Sequence, residues 1–343
     1  MTQRGKYHPK YSRLKSGITI SRVGSNDYVG LPSRGIFLTD PIQLQITRSL
    51  DGTKTTSEIA RGLLCDLEAV ESFADSLDQQ GFLDHNWQPI CNESKDFGEQ
   101  LIALRKGPES ALITYRSGVR DAGTYELTAR SESTILISGE NRFAHTLLSA
   151  LQASGFSLTR LISRAPYSPQ ITEDDLCGLV VRTSDIGRNR SEFIQDLIRN
   201  AQITRGLVVP KALPDLIIST IPLEWDYVQR WMSEGSVHLH INPLIGGEIE
   251  IGPLVIPGVT PCLRCVTLIK RDNGIAVDSE FVRAELPSAA IAYVAGLIAL
   301  VVGEYFATGA STLQAASYWY DLLRPMRPPE QRYWSFHPEC GCR

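Results

Sequence analysis

The chain has 343 residues, 43% hydrophobic and 21% charged, which predicts two unequal folded domains and excludes extensive disorder. Its formal net charge of −4 leaves no electrostatic footprint for general nucleic-acid binding. Seven cysteines, an odd number, and a basic, polar Met1–Lys15 segment without an apolar stretch predict a soluble, cytoplasmic chain with no disulfide framework.

Gly17–Val23, Tyr28–Leu31 and Gly35–Thr39 are short β-type runs separated by Gly, Ser, Asn and Pro, as in a three-stranded antiparallel unit. Pro41–Leu50 then places Ile42, Ile46 and Leu50 on one helical face, with Pro41 at a first helical position. Ile42, Leu44 and Ile46 also alternate with glutamines, which leaves a strand open there. Thr55 and Glu58 form a capping box for a short helix ending near Leu64. Asp66–Gln80 carries Leu67, Val70, Phe73, Ala74 and Leu77 at helical spacing, and Gly81 ends it. A small sheet with three helices reads as a winged helix-turn-helix over residues 1–85. A DNA-reading helix needs Lys or Arg for the phosphates. The third helix has Asp66, Glu68, Glu71, Asp75 and Asp78 and no basic residue, so DNA is excluded. Arg4, Lys6, Lys10, Arg13 and Lys15 before the first strand read as a solvated arm, or as an aid to an acidic peptide partner.

Residues 86–130 form a connecting region, and 131–343 a second, α/β domain. Thr134–Ser138, Leu158–Ser163, Leu176–Val181 and Asp215–Thr220 are apolar strand runs. Helical patterns lie between them, one with Phe143, Leu147, Leu148 and Leu151, another over Ser191–Asn200. This alternation predicts a doubly wound parallel sheet. Val237–Ile241 and Glu248–Ile256 extend it. Pro287–Gly309 is nearly long and apolar enough to span a bilayer, but Glu304, Gly296 and Gly303 interrupt it and it reads as a buried helix. The two glycines fall on nearly one face, where the sheet or a second copy would approach closely.

A doubly wound sheet invites a nucleotide at the turn after its first strand. That turn, Ser138–Phe143, has Gly139 alone, and Glu140 puts a negative charge where a pyrophosphate would sit. No P-loop motif occurs. The strongest local signal is cysteine: Cys262-Leu-Arg-Cys265, and His337-Pro-Glu-Cys340-Gly-Cys342 at the far end of the chain. Two such pairs supply four thiolates to a tetrahedral zinc, a closed and therefore structural site. A redox C-x-x-C remains open, although no helix N-terminus after a first strand is evident; so does His337 as a ligand. Cys65, Cys91 and Cys177 read as small buried residues. His238 and His240 share one strand face, as a metal pair or, more simply, as a sheet face with polar neighbours.

The run Ile251–Cys265 (IGPLVIPGVTPCLRC) and the terminal HPECGC resemble the ThiF-like cyclodehydratase partner proteins of thiazole/oxazole-modified peptide (bacteriocin) biosynthesis. The resemblance implies an N-terminal winged helix-turn-helix peptide-recognition domain followed by a degenerate ThiF-like (adenylating-enzyme) doubly wound α/β domain with a zinc knuckle. It implies a non-catalytic subunit that binds the leader of a ribosomally made precursor peptide. That subunit presents the peptide to a separate YcaO-type cyclodehydratase, which alone binds ATP and cyclises Cys, Ser or Thr. It implies structural zinc on Cys262, Cys265, Cys340 and Cys342, and a homodimer. The leader is expected to add as a strand to the edge Gly35, Ile36, Phe37, Leu38 and Thr39, with Val70, Phe73 and Leu77 as the facing wall. Phe37 and Leu38 point to opposite faces, so one of the two sets meets it. The alternative is a self-sufficient ATP-dependent adenylating enzyme of the ThiF class.

Overall fold

The computed structural model describes residues 11–85, 107–116, 118–162, 168–201, 213–221, 224–242, 247–275 and 286–342. The chain divides into two units, Met1–Thr128 and Ala129–Arg343.

In the first unit, β1 (Ser12–Leu14) pairs antiparallel with β5 (Leu83–His85), an element with no apolar run to announce it. β2 (Thr19–Val23), β3 (Asn26–Leu31) and β4 (Arg34–Leu38) form an antiparallel sheet in that order, so β4 is an edge. Tyr28 faces Phe37, and Val29 faces Ile36. The segment after β4 is helical: α1 (Pro41–Ser49) begins where the Asp40 carboxylate accepts the Ile42 amide at 2.9 Å, and Gln43 reaches back to the Thr39 amide at 2.8 Å. Pro41 costs this start nothing, because a first-turn amide has no partner within the helix. α2 (Thr56–Leu63) has its capping box, Thr55 N to Glu58 Oε2 at 2.8 Å and Glu58 N to Thr55 Oγ1 at 3.2 Å. α3 (Leu67–Gln79) is capped by Asp66. Val29, Ile46, Ile59, Val70, Leu77 and Phe82 meet in one fully buried core.

The basic arm is not all solvated. Lys15 is buried, and its ammonium donates to the carbonyls of Thr114 at 2.5 Å and Val119 at 2.8 Å, with Asp84 at 3.9 Å. Two carbonyls and a carboxylate replace the water that a buried ammonium loses. Arg4, Lys6 and Lys10 lie outside the described residues.

α4 (Thr124–Glu132) runs across the division between the units. The second unit is built on a seven-stranded sheet in the order β12-β11-β10-β9-β8-β6-β7. β6 (Thr134–Ser138), β7 (Leu158–Ile162), β8 (Leu216–Ser219) and β9 (His238–Ile241) are parallel. β10 (Glu248–Val255), β11 (Ala316–Asp321) and β12 (Glu330–Tyr333) continue it antiparallel. The last two strands are an extension that the apolar pattern did not reveal. Leu176–Val181 is a turn, not a strand. Gly178 adopts φ +70°, the Cys177 and Gly178 amides both bond the Val181 carbonyl, and the run folds back before it can join a ladder.

Alternation along the strands separates two cores. Ile135, Ile137, Leu216, Ile218 and Leu239 face α5 (Arg142–Ala153), α6 (Arg190–Ala201) and α9 (Ser288–Thr308). Leu136, Ile217 and Val255 face α7 (Trp225–Ser233) and α8 (Leu263–Asp272), the helix that carries the first cysteine pair. Among the described residues, α9 alone is long and apolar enough to cross a membrane. Here Ile291, Val294, Ile298 and Val302 are buried in the sheet's core, which makes α9 a core helix. Gly303 is buried with them, whereas Gly296 faces out with open space around it.

Candidate metal centre and peptide-binding edge

β10 leads into a turn closed by Thr260, whose hydroxyl accepts the Ile256 amide at 2.8 Å. After Pro261, Cys262 stands at the N-cap position of α8 and Cys265 follows on the same helical face. The C-x-x-C therefore does sit at a helix N-terminus, after the fifth strand of the sheet in chain order. The tail beyond β12 returns to it: the His337 amide donates to Cys265 Sγ at 3.4 Å, and the Cys340 amide bonds the His337 carbonyl at 3.1 Å. Sγ of Cys262 lies 3.3 Å from that of Cys340 and 3.9 Å from that of Cys265, and Cys265 lies 3.4 Å from Cys342. All four sulfurs fall within 4.8 Å of one another. A tetrahedral ion with bonds of about 2.3 Å separates its sulfurs by about 3.8 Å. The donor set fits zinc, and four thiolates leave no position for water or substrate. Burial first, and the neighbouring thiols second, push the Cys340 thiol far up in the absence of a cation.

His337 is a strap and not a ligand. Its Nε2 lies 2.8 Å from Asp272 Oδ2, and its Nδ1 accepts the Glu339 amide at 3.1 Å, which engages both ring nitrogens. Arg271 to Glu339, 3.1 Å, fastens the same tail to the same helix. Among the described residues, the four cysteines are the group placed to hold a metal. Cys177 is buried and Cys65 half-buried, while Cys91 lies outside the described residues.

His240 belongs to a buried polar cluster, whereas His238 packs beside the Trp231 ring with centroids 5.3 Å apart. His238 Nδ1 bonds the Ser236 carbonyl at 2.9 Å, and His240 Nε2 bonds Asn242 Oδ1 at 2.9 Å. Burial pushes both down to about 4, so both are neutral. Asn242 in turn donates to Glu250, which pairs with Lys270 of α8. The residue pattern had revealed the shared strand face but not this chain of bonds.

The sheet order reverses between β6 and β8, the switch point at which open α/β sheets hold ligands beyond their strands' C-terminal ends. Gly139 follows β6 there at φ +129°, and a Cβ on it would lie 2.7 Å from Thr220 Oγ1. Asn141 caps α5 through the Ala144 amide at 2.8 Å. Glu140 stands between them, its carboxyl raised by burial while Arg190 opposes the shift.

In the first unit, Ile36 packs on the core and Leu38 is buried, while Phe37 points out, 51% exposed. Its ring meets Tyr28 edge-on at 5.2 Å. Gly35 lies beneath the tyrosine, where a Cβ would come within 2.2 Å of Tyr28 Cζ. Thr39 is exposed. Val70, Phe73 and Leu77 are not a groove wall: Val70 and Leu77 are fully buried and Phe73 nearly so. α3 has one apolar face, and the small core takes Val70, Phe73, Ala74 and Leu77 from it while Leu67 at its start stays exposed.

No protein-family model and no curated protein matches the sequence. Solved structures do match. E. coli MccB with AMPCPP and MccA superposes with a TM-score of 0.65 at 13% identity, over 96% of this chain and 99% of that one. The microcin C7 biosynthetic enzyme MccB with N-formylated MccA gives 0.63 at 12%, over 96% and 99%. PaaA gives 0.64 at 14%, over 93% and 99%. The chain has the fold that these MccB and PaaA structures share.

Proposed function

We propose that the protein binds the leader of a ribosomally made precursor peptide through a winged-helix unit at its N-terminus. It then presents the peptide to a separate YcaO-type cyclodehydratase that forms thiazoline or oxazoline rings. The observation that carries this reading is the edge position of β4 with Phe37 exposed on it. An incoming strand finds backbone partners along the edge, and its alternate side chains meet Ile36 on one side and Phe37 on the other. The structures of MccB, whose fold this chain shares, in complex with MccA support a peptide as the ligand.

In this reading the chain's residues bind and orient; the ring-forming chemistry and its ATP belong to the partner. Zinc on Cys262, Cys265, Cys340 and Cys342 is structural and ties the tail to α8. The protein forms a homodimer, with the outward face of α9 around Gly296 as its candidate seam. Fluorescence anisotropy with the labelled leader of a candidate precursor peptide tests the reading. Saturable binding is expected, and none with a folded protein refutes it.

A second reading has an observation of its own. The switch point between β6 and β8 is present in the sheet order, and E. coli MccB has been solved with ATP. The protein would then be a self-sufficient ATP-dependent adenylating enzyme acting on a peptide. Release of pyrophosphate or phosphate by the purified chain with ATP and precursor would establish it over the first; Glu140 in the turn after β6 argues against it.

A further inference from the structure

Arg34 opens β4, the edge strand of the small sheet, and its charge has no partner. The residue is exposed, and its guanidinium lies over the ring of Phe82, 5.5 Å from the centroid. Among the described residues no carboxylate pairs with it, whereas Arg22 of the same sheet pairs with Asp27 at 3.4 Å. Phe82 is fully buried, so the stacking holds the guanidinium against a fixed ring. A cation positioned in advance loses little side-chain freedom when an anion reaches it.

The β-ladder locates the source of that anion. Pro32 and Ser33 form a two-residue turn that closes on the pair Leu31 and Arg34. Leu31 with Arg34, Val29 with Ile36 and Asp27 with Leu38 are then the hydrogen-bonded pairs of the antiparallel ladder. Gly35 and Phe37 accordingly turn amide and carbonyl to the open edge. Gln43 Oε1 accepts the Thr39 amide at 2.8 Å, which ends the free edge there. A strand added on this edge places successive side chains on opposite faces. On the outer face it meets Phe37 and Tyr28, an uncharged aromatic pair. On the inner face it meets Ile36 and, two residues away, Arg34. That face suits an apolar residue and a carboxylate at i and i+2.

We propose that Arg34 is a specificity-determining residue of the peptide edge. It takes the carboxylate of an Asp or Glu in the leader, two residues from an apolar residue seated against Ile36. This rests on the reading that a leader adds as a strand to β4. A leader continues into its core peptide, so the carboxylate is a side chain's and not a chain terminus. The test is selection from a random dodecapeptide mRNA-display library on the full chain, native or carrying Arg34→Gln, Arg34→Glu or Phe37→Ala. The native chain is expected to enrich peptides with Asp or Glu two positions from Ile, Leu, Val or Phe. Arg34→Glu should enrich Lys or Arg at that position instead, a reversal that loss of the Phe82 contact alone does not produce. Changing the acid of a native-selected peptide to its amide should weaken binding to the native chain about fivefold, the scale of one part-exposed ion pair, and leave binding to Arg34→Gln unchanged. Phe37-dependent peptides without an acid at that spacing, or with the same charge preference on Arg34→Glu, overturn the role of Arg34 and leave the edge reading standing. A selection that yields no peptide weakened by Phe37→Ala overturns both.

Discussion

Lys270 Nζ lies 2.6 Å from Glu250 Oε2, and its ammonium is flanked by the indoles of Trp319 and Trp334, with ring centroids at 5.3 and 5.6 Å. The pair joins the far end of α8 to β10, while the cysteines hold its near end. Removing one partner strands a charge at a site that is 1% exposed on the glutamate side. Lys270→Met should cost about 3–5 kcal/mol in urea unfolding, and adding Glu250→Leu should recover much of that. A double variant as unstable as the single one would contradict this account.

The two cysteine pairs and His337 separate cleanly by metal content. Purified protein should carry near-stoichiometric zinc by mass spectrometry. Cys262→Ser should lose both metal and solubility, because binding energy at such a site is folding energy. His337→Ala should keep the metal and lose only the tail's strap to Asp272. Well-folded protein without metal would refute the assignment.

On the peptide side, Phe37→Ala and Val70→Ala are expected to differ in kind. The first removes an exposed ring from the β4 edge and should weaken leader binding roughly tenfold with the melting temperature unchanged. The second opens a cavity in a fully packed core and should lower stability by about 1–3 kcal/mol. Leader affinity unaffected by Phe37→Ala would remove that ring from the binding face.

Acid should destabilise the second unit. Burial pushes His145, His238 and His240 down to about 4 from 6.5. Between those values the unfolded chain binds more protons than the folded one, so stability falls as pH falls from about 6.5 towards 4. One such shift amounts to on the order of 3 kcal/mol once pH is below 4. Unfolding free energy should be level above pH 7 and decline below 6.5, with a shallower decline in His145→Gln. A level profile from pH 7 to 5 would show that these rings are not buried neutral.

Much of the architecture is legible in local chemistry. Thr55 and Glu58 announce a helix start, Thr134–Ser138 a buried strand, and the spacing of Cys262, Cys265, Cys340 and Cys342 a common centre. What local pattern does not carry is which surface a residue turns to. Val70 and Leu77 have the same periodicity whether they line a groove or fill a core, and only the small number of other apolar residues in that unit decides it. Leu176–Val181 is apolar enough for a strand, yet Gly178 bends it away. Ala316–Asp321 and Glu330–Tyr333 pair through their backbones, which leaves little mark on a half-polar sequence.

The cysteine centre also governs what lies between its halves. An ion bridging Cys265 and Cys340 closes a ring of roughly 75 residues that contains α9, β11, β12 and the turn bearing Leu323 and Met326. Closing a ring of that size removes on the order of 4 kcal/mol of chain entropy from the unfolded state. Chelation would return that freedom to the whole enclosed stretch, so loss of metal should be felt at the hairpin as increased amide exchange, although no hairpin side chain is a ligand.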